Sequence, residues 1–565
     1  MKKNNFNSKQ VTFSFLPHGD IKEESTTNIL INQFIGNEFN GSLNNLFLRV
    51  FKEESCQVYP LIGKASNSIF ETFEEGITWS GEVEGITYQV SFRLSDQDLW
   101  FWQVNLTGNS EQVDVVYGQD LGLAARGVIL SNEAYNSQYV DHFIDSVDGD
   151  FVVCSRQNMP QGSDFPYLQQ GSLTPNTHYS TDGYQFFEKN NANSMVSKLA
   201  NTRDLESQVY QYEMAYTGLQ SETITLSGES QQVIFYGAFL PSHSEAIAKA
   251  KIDKKDIMVC FNNLPSLGAS LGKELPVTEI ISDVSGEVLT PAEVDSLFPS
   301  RRVEETSNEG ELLSFFDEND YHVVLKEKEL LMERSHGHII ISGEESTIEN
   351  PVLASTLYMN GLFNSQIVLG NTTVNKFISN SRNALNLLKK SGQRLFVKQE
   401  GKWQRLGLPS AFKMGFNFGT WYYKLNDDLI EISSYTVSDS RSVQFEIISH
   451  NQKQYEWLTS FDVVMNDNEG SHDYEMVRQE QQLLFTPTAE SSIFPKYPDL
   501  RYGIEVKQAF DLVSAADYFQ MSTNENLVMI HLPATEQVSL TIQGTFLAEP
   551  FKEVSSTLEE ASQSY

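Results

Sequence analysis

The sequence predicts a mainly β protein, with two antiparallel sandwiches in tandem. Apolar and polar residues alternate with period two over most of the chain, the pattern of half-buried strands. Helical patterns are few and short. Strands follow strands without crossover-length helices between them, so antiparallel sheets fit better than a parallel α/β fold. The 36 Phe and 23 Tyr favour pleated surfaces. At 565 residues the chain exceeds one ordinary domain.

The elements follow in order. GITYQVSFRLS (85–95) and DLWFWQVNLTG (98–108) predict a strand pair. QVIFYGAFL (232–240), YHVVLKE (321–327), HIIIS (338–342), QRLFVKQ (393–399) and SVQFEIIS (442–449) predict further strands. Helices are expected at SHSEAIAKAK after Pro241, at TPAEVDSLF and at ELLSFFDEN after Gly310. In the second of these Thr290 is a fitting N-cap, Pro291 occupies the first helical position and Glu293 completes a capping box. A hairpin pattern recurs: Phe92, Leu94, Ser95, Asp96, Trp100, Trp102 and Val104 share their spacing with Tyr435, Val437, Ser438, Asp439, Val443, Phe445 and Ile447, and Trp79 and Trp421 stand upstream at nearly equal offsets. The expected division is a first sandwich over 1–240, a connector with short helices and the charged run RRVEETSNEGE over 241–320, a second sandwich over 321–548, and the start of a linker helix over 549–565. In that last stretch Phe551, Val554, Leu558, Ala561 and Tyr565 form one apolar stripe at helical spacing. The stripe runs to the final residue without a C-cap, as a helix does when more chain or a partner surface covers it.

A formal net charge of −35 argues against nucleic acid or an anionic membrane as partner, since both need basic patches. No signal peptide is visible after MKKNNFNSKQ, no run reaches the length of a membrane span, and Cys56, Cys154 and Cys260 lack metal-ligand spacing. The expectation is a cytoplasmic protein with reduced, core-buried cysteines and no cofactor.

The densest chemistry lies in YGQDLGLAARGVILSNEAYNSQYVDH, Tyr117 to His142. It gathers Asp120, Glu133, Tyr135, Asn136, Ser137, Gln138, Tyr139, Asp141 and His142. Amides and carboxylates match vicinal hydroxyls, and tyrosine rings stack on a pyranose face. The plainer alternative is a loop whose Asn, Ser and Asp satisfy their own backbone. Asp120, Glu133 and Asp141 also raise the question of a glycosidase acid. With 75 acidic residues in the chain, however, any 30-residue window holds about four by chance. His336 and His338 share one strand face but lack a third ligand nearby, so a hydrogen-bonded role outweighs a metal. Arg203, Asp204 and Glu206 read as a local ion pair on a turn. Trp403, Phe416, Phe418, Trp421, Tyr422 and Tyr423 read as sandwich core more readily than as a carbohydrate platform.

The segment 117–142, together with NTRDLESQVYQYEMAYTGLQSE (Asn201 to Glu222) and LMERSHGHIIISGE (Leu331 to Glu344), resembles the N-terminal part of bacterial β-1,2-oligoglucan phosphorylases. These belong to glycoside hydrolase family 94 and are related to cyclic β-1,2-glucan synthases. The resemblance covers most of the chain. It implies galactose-mutarotase-like β-supersandwiches, a β-1,2-glucooligosaccharide as ligand and inorganic phosphate as co-substrate. It also implies an (α/α)6-barrel catalytic domain carrying the general-acid Asp, which is expected to be absent from this chain and supplied by missing sequence or a partner chain. No residue here matches that acid motif, so no catalytic residue is assigned. The expected substrate-binding residues are Asp120, Glu133, Tyr135, Asn136, Gln138, Asp141 and His142. Two other readings stay open: a non-catalytic carbohydrate-binding protein, and a self-contained mutarotase-like enzyme or glycosidase.

Overall fold

The computed structural model describes residues 4–53, 55–131, 136–147, 149–187, 197–211, 214–276, 281–332, 334–343, 351–370, 375–380, 389–438, 440–519, 521, 526–546, 551 and 553–564. It divides into two compact units, Met1–Glu279 and Ile280–Tyr565. Each is a sandwich of antiparallel sheets, as the alternation predicts.

In the first unit a nine-stranded sheet has the spatial order Val140–Val147, Asp150–Gln157, Tyr167–Ser172, Gln231–Leu240, Leu99–Thr107, Ile86–Leu94, Ile77–Val83, Ile69–Phe73 and Ser270–Glu274. It packs on a sheet ordered Asn176–Asp182, Ala215–Ser221, Asn109–Asp120, Asn45–Phe51 and Cys56–Pro60. The core follows from period two. Tyr88, Val90 and Phe92 point inward between outward Thr87 and Gln89, and meet Trp100, Trp102, Val113, Val115 and Leu48. A small N-terminal sheet adds Phe13 and Phe15, whose rings lie 5.1 Å from Trp100 and 5.9 Å from Trp79. Leu99 and Phe101, on the opposite face of their strand, are covered by the helix Lys254–Asn262 through Ile257 and Cys260. Cys154 and Cys260 are therefore buried, while Cys56 is only half-buried.

The second unit repeats this plan. Its eleven-stranded sheet contains, in order, Ala411–Met414, Phe418–Leu425, Asp428–Thr436, Ser442–Ser449, Gln537–Thr545, Arg501–Val506, Gln482–Pro487 and Tyr474–Gln479. The facing sheet contains Lys402–Leu406, Gln393–Gln399, Tyr455–Phe461, Val528–Thr535 and Asp511–Val513. In both units a later strand, Gln231–Leu240 or Gln537–Thr545, inserts between a run of four consecutive strands and a run of three. The hairpin repeat in the sequence is thus the visible part of one strand plan used twice, with Trp79 and Trp421 on equivalent strands. The register differs by one residue: Trp102 faces Phe92, whereas Phe445 faces Ser434. A one-residue slip turns side chains to the other face. Tyr435 accordingly leaves the main core and joins Phe418 on the outer face.

Four expectations need correction. Residues 241–320 are no separate connector. The helix Lys254–Asn262 belongs to the first core, while Leu289, Val294 and Phe298 pack on Phe315, Val323 and Tyr422 in the second unit. The capping-box helix Pro291–Leu297 forms, with Thr290 and Glu293 bonded as expected. Residues 242–251, by contrast, are not helical, and the segment docks through Ile247, with Ala250 beside it, against Val152, Cys154 and Tyr167. ELLSFFDEN is the strand Leu312–Asp317. Sheet pairing with Arg301–Thr306 and His322–Leu325 overrides its weak helical pattern. Finally, the terminal helix spans only Leu558–Gln563, and it docks on its own unit. Ala561 is 1% exposed against Phe418 and Tyr435, and the Tyr435 hydroxyl donates to the Ser556 carbonyl at 2.9 Å. No described helix is long and apolar enough to cross a membrane.

Candidate functional site

Two features of the first unit bear on function: a buried polar network where the strand Asn109–Asp120 ends, and an open groove beside it. Along that strand Val113, Val115 and Tyr117 fill the core, and Gln119 continues the same stripe where the core turns polar. The Tyr117 hydroxyl donates to Gln119 Oε1. Gln119 Nε2 donates to Glu24 Oε2 at 2.5 Å, and Gln170 Nε2 donates to Gln119 Oε1 at 2.9 Å. Asn44 Nδ2 donates to Glu24 Oε1 at 2.8 Å, while Asn44 Oδ1 accepts the Asp120 backbone N–H at 2.7 Å.

Asp120 itself is 1% exposed. Its Oδ2 accepts the backbone N–H groups of Gln33 and Phe34, both at 2.7 Å. Burial pushes its carboxyl up to about 6, against the lowering effect of those two donors. Glu24 is raised well above the usual carboxylate range, chiefly by burial and then by the Asp120 charge. A carboxylate closed off in this way holds the 33–34 turn to the sheet. At 1% exposure it is shielded from a sugar in solvent.

The other expected residues divide between buried and accessible. Asn136 is fully buried, with Nδ2 donating to the Gly122 carbonyl at 2.6 Å and Oδ1 accepting from Gln157 Nε2 at 3.2 Å. Ser137 is also buried, and its hydroxyl donates to Gln33 Oε1 at 2.5 Å. The buried His142 places Nδ1 2.9 Å from the Ser155 hydroxyl, and burial holds its imidazole down to about 4, neutral at ordinary pH. Gln138 is exposed, and Asp141 is half-buried on the strand Val140–Val147, opposite Arg156. Glu133 and Tyr135 lie outside the described residues.

The groove has a volume of about 340 Å³, at the lower end for small-molecule sites. Lys9, Gln10, the turn Thr26–Ile29, Gln161, Asp164 and Phe239 line it. Gln10 is fixed by Asp98, and Gln161 Oε1 accepts the Ala125 N–H at 2.7 Å. This last bond ties the groove to the start of the 126–142 segment. The side chains of Lys9, Thr27, Asn28 and Asp164 have no partner among the described residues, so one cation, one anion and two neutral groups stand ready for hydroxyls. Sequence reasoning missed this groove and Glu24, because their residues are scattered. The polar turn Thr26-Thr27-Asn28 was the only local signal.

In the second unit His336 Nδ1 lies 2.5 Å from Glu329 Oε2, and His338 Nε2 lies 2.5 Å from the Gly415 carbonyl. Both histidines are therefore hydrogen-bonded, and no cluster of three metal-ligating side chains occurs among the described residues. The expected local ion pair at 203–206 is replaced by longer-range partners. Asp204 meets His178 at 3.6 Å, Glu206 meets Lys198 at 3.4 Å, and Arg203 lies over the Phe51 ring at 3.9 Å.

Comparison with known proteins matches residues 14–237 to the SOGP N-terminal domain and residues 298–544 to the glycoside phosphorylase supersandwich domain. The chain is 33% identical over 502 residues to a 1,2-beta-oligoglucan phosphorylase of Listeria innocua serovar 6a, covering 87% of this chain and 44% of that protein. It thus spans less than half the length of that relative. Among solved structures, a bacterial glucoamylase complexed with acarbose aligns with 46% of this chain and 34% of its own, at 14% identity and a TM-score of 0.29. A galactose mutarotase related enzyme from Lactobacillus acidophilus aligns with 44% of this chain and 100% of its own, at 10% identity and a TM-score of 0.21. Likenesses this distant carry no argument. The two domain matches and the shared third of positions do, and by them the chain belongs to the SOGP-type glycoside phosphorylase family, of which it carries the N-terminal and supersandwich domains.

Proposed function

We propose that this chain is the sugar-facing scaffold for phosphorolysis of β-1,2-linked glucooligosaccharides, in the manner of glycoside hydrolase family 94. The carrying observation is the 33% identity over 502 residues to a protein named for that substrate and reaction. In this reaction phosphate attacks C1 of the terminal glucose and the C1–O bond breaks. A carboxylic acid protonates the leaving oxygen, giving α-glucose 1-phosphate and a shorter glucan. Phosphate is the nucleophile, so one acid suffices. The closure of Asp120 and Glu24 supports an acid supplied from outside these 565 residues, on a helical-barrel domain. The open, neutral-balanced groove and the accessible Gln138 and Asp141 support contact with an uncharged sugar, with Glu133 and Tyr135 beside them in sequence. Asp120, Asn136 and His142 then act as positioning residues for that surface.

The test has two arms on the purified 565-residue chain. Calorimetric titration with β-1,2-glucooligosaccharides is expected to give binding that weakens in Asp164→Ala and Asn28→Ala. Incubation of the same sugars with phosphate is expected to release no glucose 1-phosphate. Robust phosphate-dependent turnover would place the acid inside these sandwiches, and absence of any binding would remove the sugar-facing role.

A further inference from the structure

We propose that the second unit carries a separate carbohydrate-stacking platform built from Trp403, Tyr518 and His531. The outer face of a sandwich sheet is ordinarily polar. Here it gathers three half-buried rings instead. Trp403 stands on the strand Lys402–Leu406, directly across from Lys398. His531 comes from Val528–Thr535, and Tyr518 from the short helix Ala515–Phe519, which Phe519 anchors against Phe396 with ring centroids 5.3 Å apart. The Trp403 centroid lies 6.0 Å from Tyr518 and 5.9 Å from His531, and those two rings lie 5.8 Å apart. All three belong to the opposite face from Trp457, Ile530 and Leu532, which lie in the core.

Polar groups of both signs border the rings. Lys398 Nζ sits 5.6 Å over the indole and 3.0 Å from each Glu456 oxygen, and His531 Nε2 is 3.4 Å from Glu456 Oε2. The Lys398 ammonium holds the Glu456 carboxyl below its usual range, so the pair stays ionised and mutually neutralised. The indole N–H of Trp403 and the hydroxyl of Tyr518 have no partner among the described residues. Flat aromatic faces with unpaired donors and a carboxylate beside them fit the C–H face and equatorial hydroxyls of a pyranose. The Lys398–Glu456 pair leaves this border without net charge, which suits a neutral ligand better than a phosphate or another anion. The ligand class is therefore a neutral glucooligosaccharide, and in that choice of sugar alone the inference rests on the proposed function.

The protein supplies its own reporter. It has six tryptophans, and Trp79, Trp100, Trp102, Trp421 and Trp457 are at most 1% exposed. Acrylamide quenching of tryptophan fluorescence therefore reads Trp403. Adding β-1,2-glucooligosaccharide is expected to protect that fluorescence, and Tyr518→Ala is expected to weaken the protection about tenfold in sugar concentration, as loss of one aromatic contact does. Trp403→Phe should abolish the quenchable signal while leaving the circular-dichroism spectrum unchanged. If calorimetry detects binding but quenching of Trp403 is unaffected, the platform is refuted and the proposed function stands. If β-1,2-glucans fail to bind but cello- or laminari-oligosaccharides protect Trp403, the platform stands and the proposed function fails. Protection by no sugar refutes the platform.

Discussion

Replacing Asp120 by Asn should change how the stability of the first unit depends on pH. The Asp120 carboxyl is raised from its usual 3.8 to about 6, and burial is the leading cause. At about 1.4 kcal/mol per unit, that shift costs the folded state about 3 kcal/mol once both states are ionised. The sign follows from proton binding. Between the two values the folded state holds the proton and the unfolded state does not, so stability falls as pH rises through this window. The cost is fully present above about pH 6 and gone below about pH 4. Because the group is buried, no solvent discount applies. Working above the isoelectric point of about 4.6, roughly 1 kcal/mol of the cost should disappear between about pH 7.5 and 5.2. Asn keeps one carbonyl oxygen for the Gln33 and Phe34 N–H groups but cannot ionise. Its new amide group adds a packing cost that does not vary with pH, so the change in the wild-type-minus-variant difference reports the titration of Asp120 together with its charge coupling to Glu24. Amide exchange along Asn109–Asp120, compared between the two proteins at each pH, reads the first unit alone. A difference that stays constant with pH, or one in which the wild type gains on the variant as pH rises, would show that Asp120 ionises normally in the fold.

Two further changes test how segments are held. Arg49 is fully buried, bonds both Asp114 oxygens and donates to the Leu199, Thr202 and Arg203 carbonyls, so Arg49→Met should cost the first unit about 3–5 kcal/mol in urea unfolding, with much of it restored by adding Asp114→Leu. A cost under 1 kcal/mol would mean that the 199–203 turn is held by something else. Deleting residues 551–565 should remove about 3 kcal/mol, from Phe551 against Gly503, Leu558 and Ala561 against Phe418, and the Tyr435–Ser556 and Asn417–Ala561 bonds. The melting temperature of the second unit should fall by several degrees. An unchanged melting temperature would restore the reading of the stripe as a surface awaiting other chain.

The fold class was legible because period-two alternation is a local signal, and a strand with clean alternation such as Ile86–Leu94 lies where it predicts. The helix Pro291–Leu297 was legible for the same reason, since its capping box is written within four residues. Boundaries were less legible. ELLSFFDEN becomes a strand only because two neighbours pair with it, and the connector dissolves only because Ile257 and Val294 find different cores. The chemistry of 117–142 was legible as residue types but not as exposure. Nothing local tells that Asn136 points at the Gly122 carbonyl while Gln138 faces solvent. The platform was half legible: Trp403 stood in the sequence among aromatic residues that are mostly core, and only Tyr518 and His531, more than a hundred residues on, set it apart.

The shared strand plan gives a reason to treat the buried carboxylates as structural. In each unit one central strand of the second sheet, Asn109–Asp120 or Tyr455–Phe461, ends at a buried acid, Asp120 in the first and Asp462, the next residue, in the second. The solutions differ. Asp120 is closed by backbone donors beside an amide-clamped Glu24. Asp462 lies 3.6 Å from Lys390, near a second pair in which Lys376 Nζ meets Glu469 Oε1 at 2.6 Å. Two copies of one plan thus meet the same need, satisfying a polar strand end inside an apolar sandwich, once with neutral donors and once with cations. A catalytic acid would have to keep one oxygen open to the substrate in at least one copy. In the first copy the acid holds the Gln33–Phe34 turn to the sheet, and in the second it is buried facing the Lys390 ammonium, while its backbone carbonyl accepts the Ser379 N–H at 2.8 Å. The sandwiches spend their buried charge on shape, and shape is what a sugar-facing scaffold has to supply.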